Sequence, residues 1–334
     1  MGQYILRRVL IAIPILLGIS LLVFLMLHSA GGDPAELKLG MQADEESIAR
    51  LREEMGLNRP LTVQYLDFLS GAVRGDLGRS YRSNAPVTDE VWSRFPATVE
   101  LAVAAMLIGA VIGLTAGTIA GVKRNSVFDY SSTFAALIGI SIPTFWLGII
   151  LIIVFGVWLE WLPISGRINP RLGADPSAPF LVLNSLLHRD WTVFEDTLKH
   201  LVLPAITLAG WPAAIIARIT RASVIEAMDG DFIRTARAKG LNDRHVVRRH
   251  ALPNALIPIL TVVGLELGVL LGGAVVTETV FSWPGVGKLA YDAIAARDYQ
   301  VTQGVVLLLA TVFVLLNLLV DILYAFFDPR VRYS

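Results

Sequence analysis

Asp229-Gly-Asp-Phe-Ile-Arg-Thr-Ala-Arg-Ala-Lys-Gly-Leu241 is a short charged stretch set between two long apolar runs. Its pattern predicts a helix. Asp231 stands at the start, and Arg234, Arg237 and Lys239 run toward the end, an order that complements the helix dipole. Gly240 ends it, because glycine accepts the positive φ of the residue after a helix. Asn242 or Asp243 then caps a second short helix running to Leu252-Pro253. Phe232, Ile233, Ala236 and Leu241 give the pair an apolar side. A helix–glycine–helix unit held beside a membrane is a rigid projection. On periodicity alone, the same stretch also reads as a basic loop that only sets topology.

Outward from this stretch the chain is built for lipid. Of its 334 residues 54% are apolar and 17% charged, and the mean hydropathy is +0.62. Soluble chains carry about 25% charged residues. A helix needs about 20 apolar residues to cross a bilayer core. Six runs qualify, at 9–27, 101–122, 130–159, 201–217, 253–281 and 299–327. Glu266 and Glu278 interrupt the fifth, and Asp321 the sixth. The third is longer than a bilayer requires, and Pro143 predicts a kink in it. The fold class is therefore an all-α polytopic membrane protein with six transmembrane helices.

Six spans put both termini on one side. With the N-terminus inside, the inner segments are 1–8, 123–130, 218–252 and 328–334. They hold half of the 28 Lys and Arg in less than half the length of the outer segments, which predicts both termini in the cytoplasm. Reading the first run as a cleaved signal peptide ending near Ser29-Ala-Gly31 is the alternative. That run exceeds the usual apolar length of such a peptide.

The outer segment 29–97 is too long for a simple connection. Asp44 predicts an N-cap, with Ile48, Leu51 and Met55 on one face and Gly56 at the end. Residues 60–73 read as a second helix, Gly75-Asp-Leu-Gly78 as a turn, and 87–94 as a third helix leading into span two. This is either a structural cap over the spans or a docking surface for an external partner. Segment 160–199, rich in Pro and Gly, reads as an irregular loop with one short helix near Leu181–Leu187. Gly109, Gly113, Gly117 and Gly121 in span two, and Gly264, Gly268 and Gly272 in span five, recur every four residues. That spacing lets helix backbones approach closely, within the chain or, for span five, against a second membrane subunit.

Several chemistries are excluded. The chain has no cysteine, so thiol catalysis, disulfides and Cys-ligated metal are absent. A net charge of zero gives no bulk attraction to nucleic acid. Gly285-Val-Gly-Lys288 lacks the remaining residues of a phosphate loop, so the chain should not hydrolyse ATP itself. Ser141 has no histidine base at its depth, because His28, His188, His200, His245 and His250 all read as loop or end residues. No metal site and no cofactor are expected. Ionisable groups inside spans usually face the protein interior, which makes Glu266 a candidate for a polar path. Asn317 and Asp321 share a face of span six, and Asp321 also reads as a partner for Arg218 or Arg221. Ser141 and Thr144 flank Pro143; they line a cavity or satisfy the kink. Glu278, near the outer end of span five, is read as shaping the outer mouth of the path.

The stretch at 234–253 resembles the signature loop of ABC-importer permeases: Glu-Ala-Ala, three residues, Gly, nine residues, Ile-x-Leu-Pro. The matching positions are Arg234-Thr235-Ala236, Gly240 and His250-Ala251-Leu252-Pro253, with Arg234, Thr235 and His250 departing from the general form. Arg-Thr-Ala-Arg-Ala-Lys-Gly-Leu is similar to the dipeptide, oligopeptide and nickel subfamily. So are Tyr4-Ile-Leu-Arg-Arg8, Arg59-Pro-Leu-Thr-Val-Gln-Tyr65, Gly75-Asp-Leu-Gly-Arg-Ser80, Phe95-Pro-Ala-Thr-Val-Glu-Leu101, Glu278-Thr-Val-Phe-Ser-Trp-Pro-Gly-Val-Gly287 and the ending at 321–333. The chain resembles the "B" permease of that subfamily along essentially its whole length.

The resemblance implies a type I ABC importer permease (MetI-like) core at 98–330 with its coupling loop at 218–252. An N-terminal span at 1–28 and an extracytoplasmic helical segment at 29–97 precede it. It implies a bacterial or archaeal inner-membrane location. The partners implied are a second homologous permease, two cytoplasmic ABC ATPase subunits, an extracytoplasmic substrate-binding protein and membrane lipid. Arg234, Thr235, Ala236 and Gly240 would couple the chain to an ATPase, and Leu252 and Pro253 would mark the return into span five. Short peptides are the implied cargo; nickel, glutathione or oligosaccharide are alternatives within the family. A secondary transporter or channel is the competing class, and it would need no coupling loop.

Overall fold

The computed structural model describes residues 2–29, 33–40 and 43–327, with the side chains of 2–6, 37, 321 and 323–327 left aside. The residues at 30–31 of the alternative cleavage site and 328–334 of the closing motif lie outside the described residues. The described chain is helical and contains no strand; one isolated bridge joins Arg79 and Pro86. Helix α1 spans Gly2–Ser29. Three short helices follow, α2 Pro34–Leu39, α3 Glu45–Glu54 and α4 Leu61–Val73. The bundle continues with α5 Val87–Val122, α6 Val127–Ser141, α7 Thr144–Leu151 with a π-turn to Trp158, α8 Leu181–Leu187 and α9 Trp191–Met228. The loop helices are α10 Asp231–Ala238 and α11 Asp243–Val246. The chain closes with α12 Leu252–Gly273, α13 Val275–Val280, α14 Val286–Ala295 and α15 Tyr299–Phe327.

Among the described residues five helices are long and apolar enough to cross a membrane, and the pair α6 and α7 brings the number to six if it counts as one span. That pair carries the expected kink of span three, at Pro143 and sharper than a simple proline bend. The two helices meet at 100°, because Pro143 has no amide to continue the ladder and sits with extended backbone as the cap of α7. Span four is also longer than its apolar run. Helix α9 takes 38 residues, about 57 Å, straight through Pro204 and Pro212. Residues 218–228, expected in the loop, therefore belong to α9. His200, read as an end residue, is buried in it with Nδ1 at 2.8 Å from Asp196 O. The helix expected at 87–94 is the first part of α5, unbroken into span two.

The glycines of span two explain the centre of the bundle. Gly109, Gly113, Gly117 and Gly121 are buried and lie against Ala213, Ile216, Ala217, Thr220 and Val224 of α9. Lipid supplies no hydrophobic drive for helix association, so close backbone packing must supply it. In span five, Gly264 and Gly268 meet Val320 and Phe313 of α15, which places them inside the chain, whereas Gly272 faces open space. Outside this core, large apolar side chains such as Leu10, Leu107, Phe134 and Leu315 are exposed, as a lipid-facing surface requires.

The segment before α5 contains α2, which the sequence pattern did not suggest, besides the two expected helices. Asp44 caps α3 by accepting from Ser47 N at 3.0 Å, and the Ser47 hydroxyl, with this backbone bond, holds its carboxyl below the usual aspartate range. Helix α4 leans on α1, where Tyr65 Oη lies 2.9 Å from Ser20 Oγ.

Replacing Gly117 by leucine should force α5 from α9 and cost about 1–3 kcal/mol or more, as overpacking does. Gly272→Ala should be silent. Thermal unfolding of the purified variants in detergent checks both; an unchanged Gly117→Leu melting temperature would remove the seam from its central role.

Candidate coupling loop and translocation path

Helix α10 is seated rather than merely tethered. Ile233 is fully buried and Ala236 nearly so. They pack with Ala227 at the end of α9, and with Val246 and Ala251 on the way into α12. The opposite face is charged and exposed: Asp231, Arg234, Thr235, Arg237 and Lys239 all meet solvent. Phe232, expected on the apolar side, is instead 42% exposed, because the helical period puts its neighbour Ile233 inward. Gly240 carries φ +79° and turns the chain by a residue type that tolerates it. Asn242 caps α11 by accepting from His245 N at 2.8 Å, and Arg237 Nε donates to Asp243 at 3.2 Å across the turn. The second helix does not end at Leu252-Pro253. A π-turn at Val247–Ala251 carries it into α12, so Leu252 and Pro253 lie within one continuous helical rod. Of the motif residues, Arg234, Thr235 and Gly240 are presented outward, and Ala236 faces the seat.

A buried ion pair braces the same end of the bundle. Arg221 of α9 donates from Nε and Nη2 to Asp129 of α6 at 2.5 and 2.8 Å. Asn125 N donates to the same carboxylate at 2.9 Å. Arg221 is thus engaged by Asp129, and the side chain of Asp321, proposed as its partner, lies outside the described residues.

The path candidates are not gathered into one cavity. Ser141 lies at the α6–α7 bend and lines a groove of about 580 Å³ with Phe134, Pro143, Phe145 and Trp146. Its hydroxyl donates to Leu137 O at 2.8 Å. Thr144 opens α7 on the other side of the bend. Glu266 sits two residues from Gly264 and Gly268, on the side of α12 turned away from α15. Trp211 of α9 lies against its carboxyl group, while its Oε2 is buried with no hydrogen-bond partner among the described residues. Asn317 Oδ1 is likewise without one, and that residue lines a separate apolar groove between α1, α12 and α15.

At the far end of the bundle the strings at 95–101 and 278–287 prove to touch one another. Glu278, on α13, is fully buried. It accepts from Thr98 Oγ1 at 2.7 Å and from Lys288 N at 2.8 Å. A Cβ at Gly285 or Gly287 would strike the Glu278 side chain, which is why the string around Pro284 needs glycine there. Trp283 Nε1 donates to Ala97 O at 2.9 Å. Beside it, Arg167 donates to Glu100 at 2.5 Å and to Pro176 O and Ala178 O at 2.8 Å. Its guanidinium lies 5.9 Å from the Trp283 ring centre. Sequence reading missed Arg167, Glu100 and Asp129. For Glu100 and Asp129 the available signal was a charge at the edge of an apolar run; Arg167, in the irregular segment, had none.

Removing Arg167 alone should be worse than removing the pair. Arg167→Leu leaves Glu100 buried and unpaired and should cost about 3–5 kcal/mol. Adding Glu100→Leu should return a large part of that loss. Melting temperatures of the two variants in detergent decide it, and equal stability of wild type and Arg167→Leu would refute the brace.

Comparison with known proteins agrees with this architecture. Residues 1–102 match the N-terminal region, and residues 113–333 the main region, of the binding-protein-dependent transport system inner membrane component. The dipeptide transport system permease protein DppB of Alkalihalophilus pseudofirmus is 46% identical, with all of both chains covered. The glutathione transport system permease protein GsiC of Escherichia coli is 43% identical, also over the whole of both chains. Among solved structures, the inward-facing MetNI methionine ABC transporter superposes with a TM-score of 0.52 at 20% identity, covering 70% of this chain and 93% of that one. The chain belongs to the family of binding-protein-dependent transport system inner membrane components, the permease subunits of ABC importers.

Proposed function

We propose that this permease is one of two that enclose the path for short peptides in an ATP-driven importer. It holds no ATPase centre of its own. One of two cytoplasmic ABC ATPase subunits docks on α10, and an extracytoplasmic binding protein delivers the peptide. The observation that carries this reading is the α10 seat: an apolar face locked onto the end of α9, onto α11 and onto the turn leading into α12, with Arg234, Thr235 and the Gly240 turn presented outward. The basic density of the loop supports a cytoplasmic position for it, and with it for both termini. A relative named for dipeptide transport supports peptide cargo. A relative named for glutathione transport, itself a short peptide derivative, keeps that cargo as the second reading. Within the membrane, Glu266 with Ser141 and Thr144 is proposed to line the path; Asn317, apart from them, serves the α15 packing or a partner seam.

Co-purification from the native membrane in mild detergent should recover a second six-span permease and two ATPase subunits. Recovery of the chain alone, active in liposomes without ATP, would replace the importer by a secondary transporter. Proline at position 240 cannot adopt φ +79° and should unseat the α10–α11 turn at a cost of about 3 kcal/mol. In the reconstituted importer, Gly240→Pro should insert normally yet lose ATP-driven uptake; normal uptake would sink the coupling assignment. Glu266→Gln should alter uptake across a peptide panel while leaving assembly intact, and unchanged uptake would make Glu266 structural.

A further inference from the structure

On the face opposite the coupling loop, the end of α1, helix α4, the 75–81 turn and the start of α15 enclose a cavity of about 240 Å³. It is separate from every group assigned above. Its floor is neutral and polar. Gln303 is only 4% exposed, yet its carboxamide makes no hydrogen bond among the described residues. Gln300 Nε2 donates to Tyr81 Oη at 3.3 Å. That leaves the Gln300 carbonyl and the Tyr81 proton without hydrogen-bond partners among the described residues. His28 and Gln64 form a side wall, 3.3 Å apart. The mouth carries both signs of charge, with Arg59 and Asp67 paired at 2.6 Å and both more than half exposed.

We propose that this cavity is a binding site for a short peptide, outside the translocation path. A buried carboxamide with nothing to bond is a costly feature unless a ligand or water completes it. Its natural complement is a peptide group, which offers one N–H and one C=O in the same plane. A fixed ion pair inside the floor would reject that neutral group, and none is there among the described residues. The charged ends of a peptide would meet the Arg59 and Asp67 side chains at the mouth, whose exposed pair is weak enough to exchange partners. A cavity of about 150 Å³ already admits benzene, so this one takes about two residues. The aromatic wall of Phe24, Tyr81 and Tyr299 supplies apolar contact for their side chains.

The test uses the assembled importer in lipid nanodiscs, without ATP and without the binding protein, so that it reads neither uptake nor delivery. Saturation-transfer NMR is run with dialanine and with glucose as probes. Saturable dialanine contacts are expected, with affinity lowered about tenfold, the worth of one lost hydrogen bond, in Gln303→Leu. Tyr81→Phe keeps the ring and the fold and should also weaken binding; it serves if Gln303→Leu misfolds. Gly272→Ala, at a position that lies in neither the cavity nor the proposed path, should bind dialanine as wild type does. Dialanine binding that is absent, that survives both cavity variants, or that is lost in Gly272→Ala as well overturns the proposal. So does glucose binding without dialanine binding.

Discussion

The distance between α5 and α9 governs the rest of this molecule. In lipid, two helices gain from meeting only what their surfaces gain by touching. Four glycines on one face of α5 let its backbone lie against Ala213, Ala217 and Thr220 of α9. Both ends of the protein hang from that seam. At one end α9 continues past the apolar run and delivers Ala227 to the seat of α10. At the other, the start of α5 offers Ala97, Thr98 and Glu100, to which Trp283, Glu278 and Arg167 are fixed. A shift of α5 by even a methyl group would misplace both sets of partners.

The far end is held by polar bonds rather than by apolar contact, which has a physical consequence. Burying Glu278, Arg167 and Glu100 costs desolvation, and their hydrogen bonds do little more than offset it. What they add is uniqueness. Each carboxylate oxygen of Glu278 has a directional donor, and an alternative packing of α13 and α14 would strand a charge. The glycines at 285 and 287 belong to this arrangement, since any side chain there would occupy the space of the carboxyl group.

Much of this was legible in the sequence because lipid imposes simple rules. Apolar runs gave the spans, the four-residue glycine period gave the seam face, and Asp44, Asn242 and Gly240 announced their caps and turn. The resemblance of the loop to permease signatures then carried the function. Three features were not legible. Helix α9 outruns its apolar run because residues 218–228 gain from packing against the loop, which hydropathy does not record. The 100° break at Pro143 looked like a kink, since a proline states that a bond is lost but not where the freed chain will pack. The side-chain partners Thr98 of Glu278 and Glu100 of Arg167 lie 180 and 67 residues away in sequence, and no local pattern pairs them. For the same reason Glu266, the most conspicuous charge in a span, could be named, but its neighbour Trp211 could not.

The helices sort into two units by how they are joined. Helices α5 and α9 are bound by a continuous glycine seam; α12 and α15 meet through Gly264 and Gly268. Between the units, α9 and α12 touch through ordinary side chains such as Val224, Ala255 and Ile259. Such contacts tolerate small sliding where close backbone packing does not. Between α9 and α12 the chain runs through α10 and α11, and the seat of α10 joins Ala227 at the end of α9 to Val246 and Ala251 on the way into α12. A force on the exposed face of α10 therefore acts on the seam between the units and not within either. Glu266 and Trp211 stand on opposite sides of that seam, so a slide too small to disturb any helix changes first the contact between Trp211 and a carboxyl group whose Oε2 lacks a partner among the described residues.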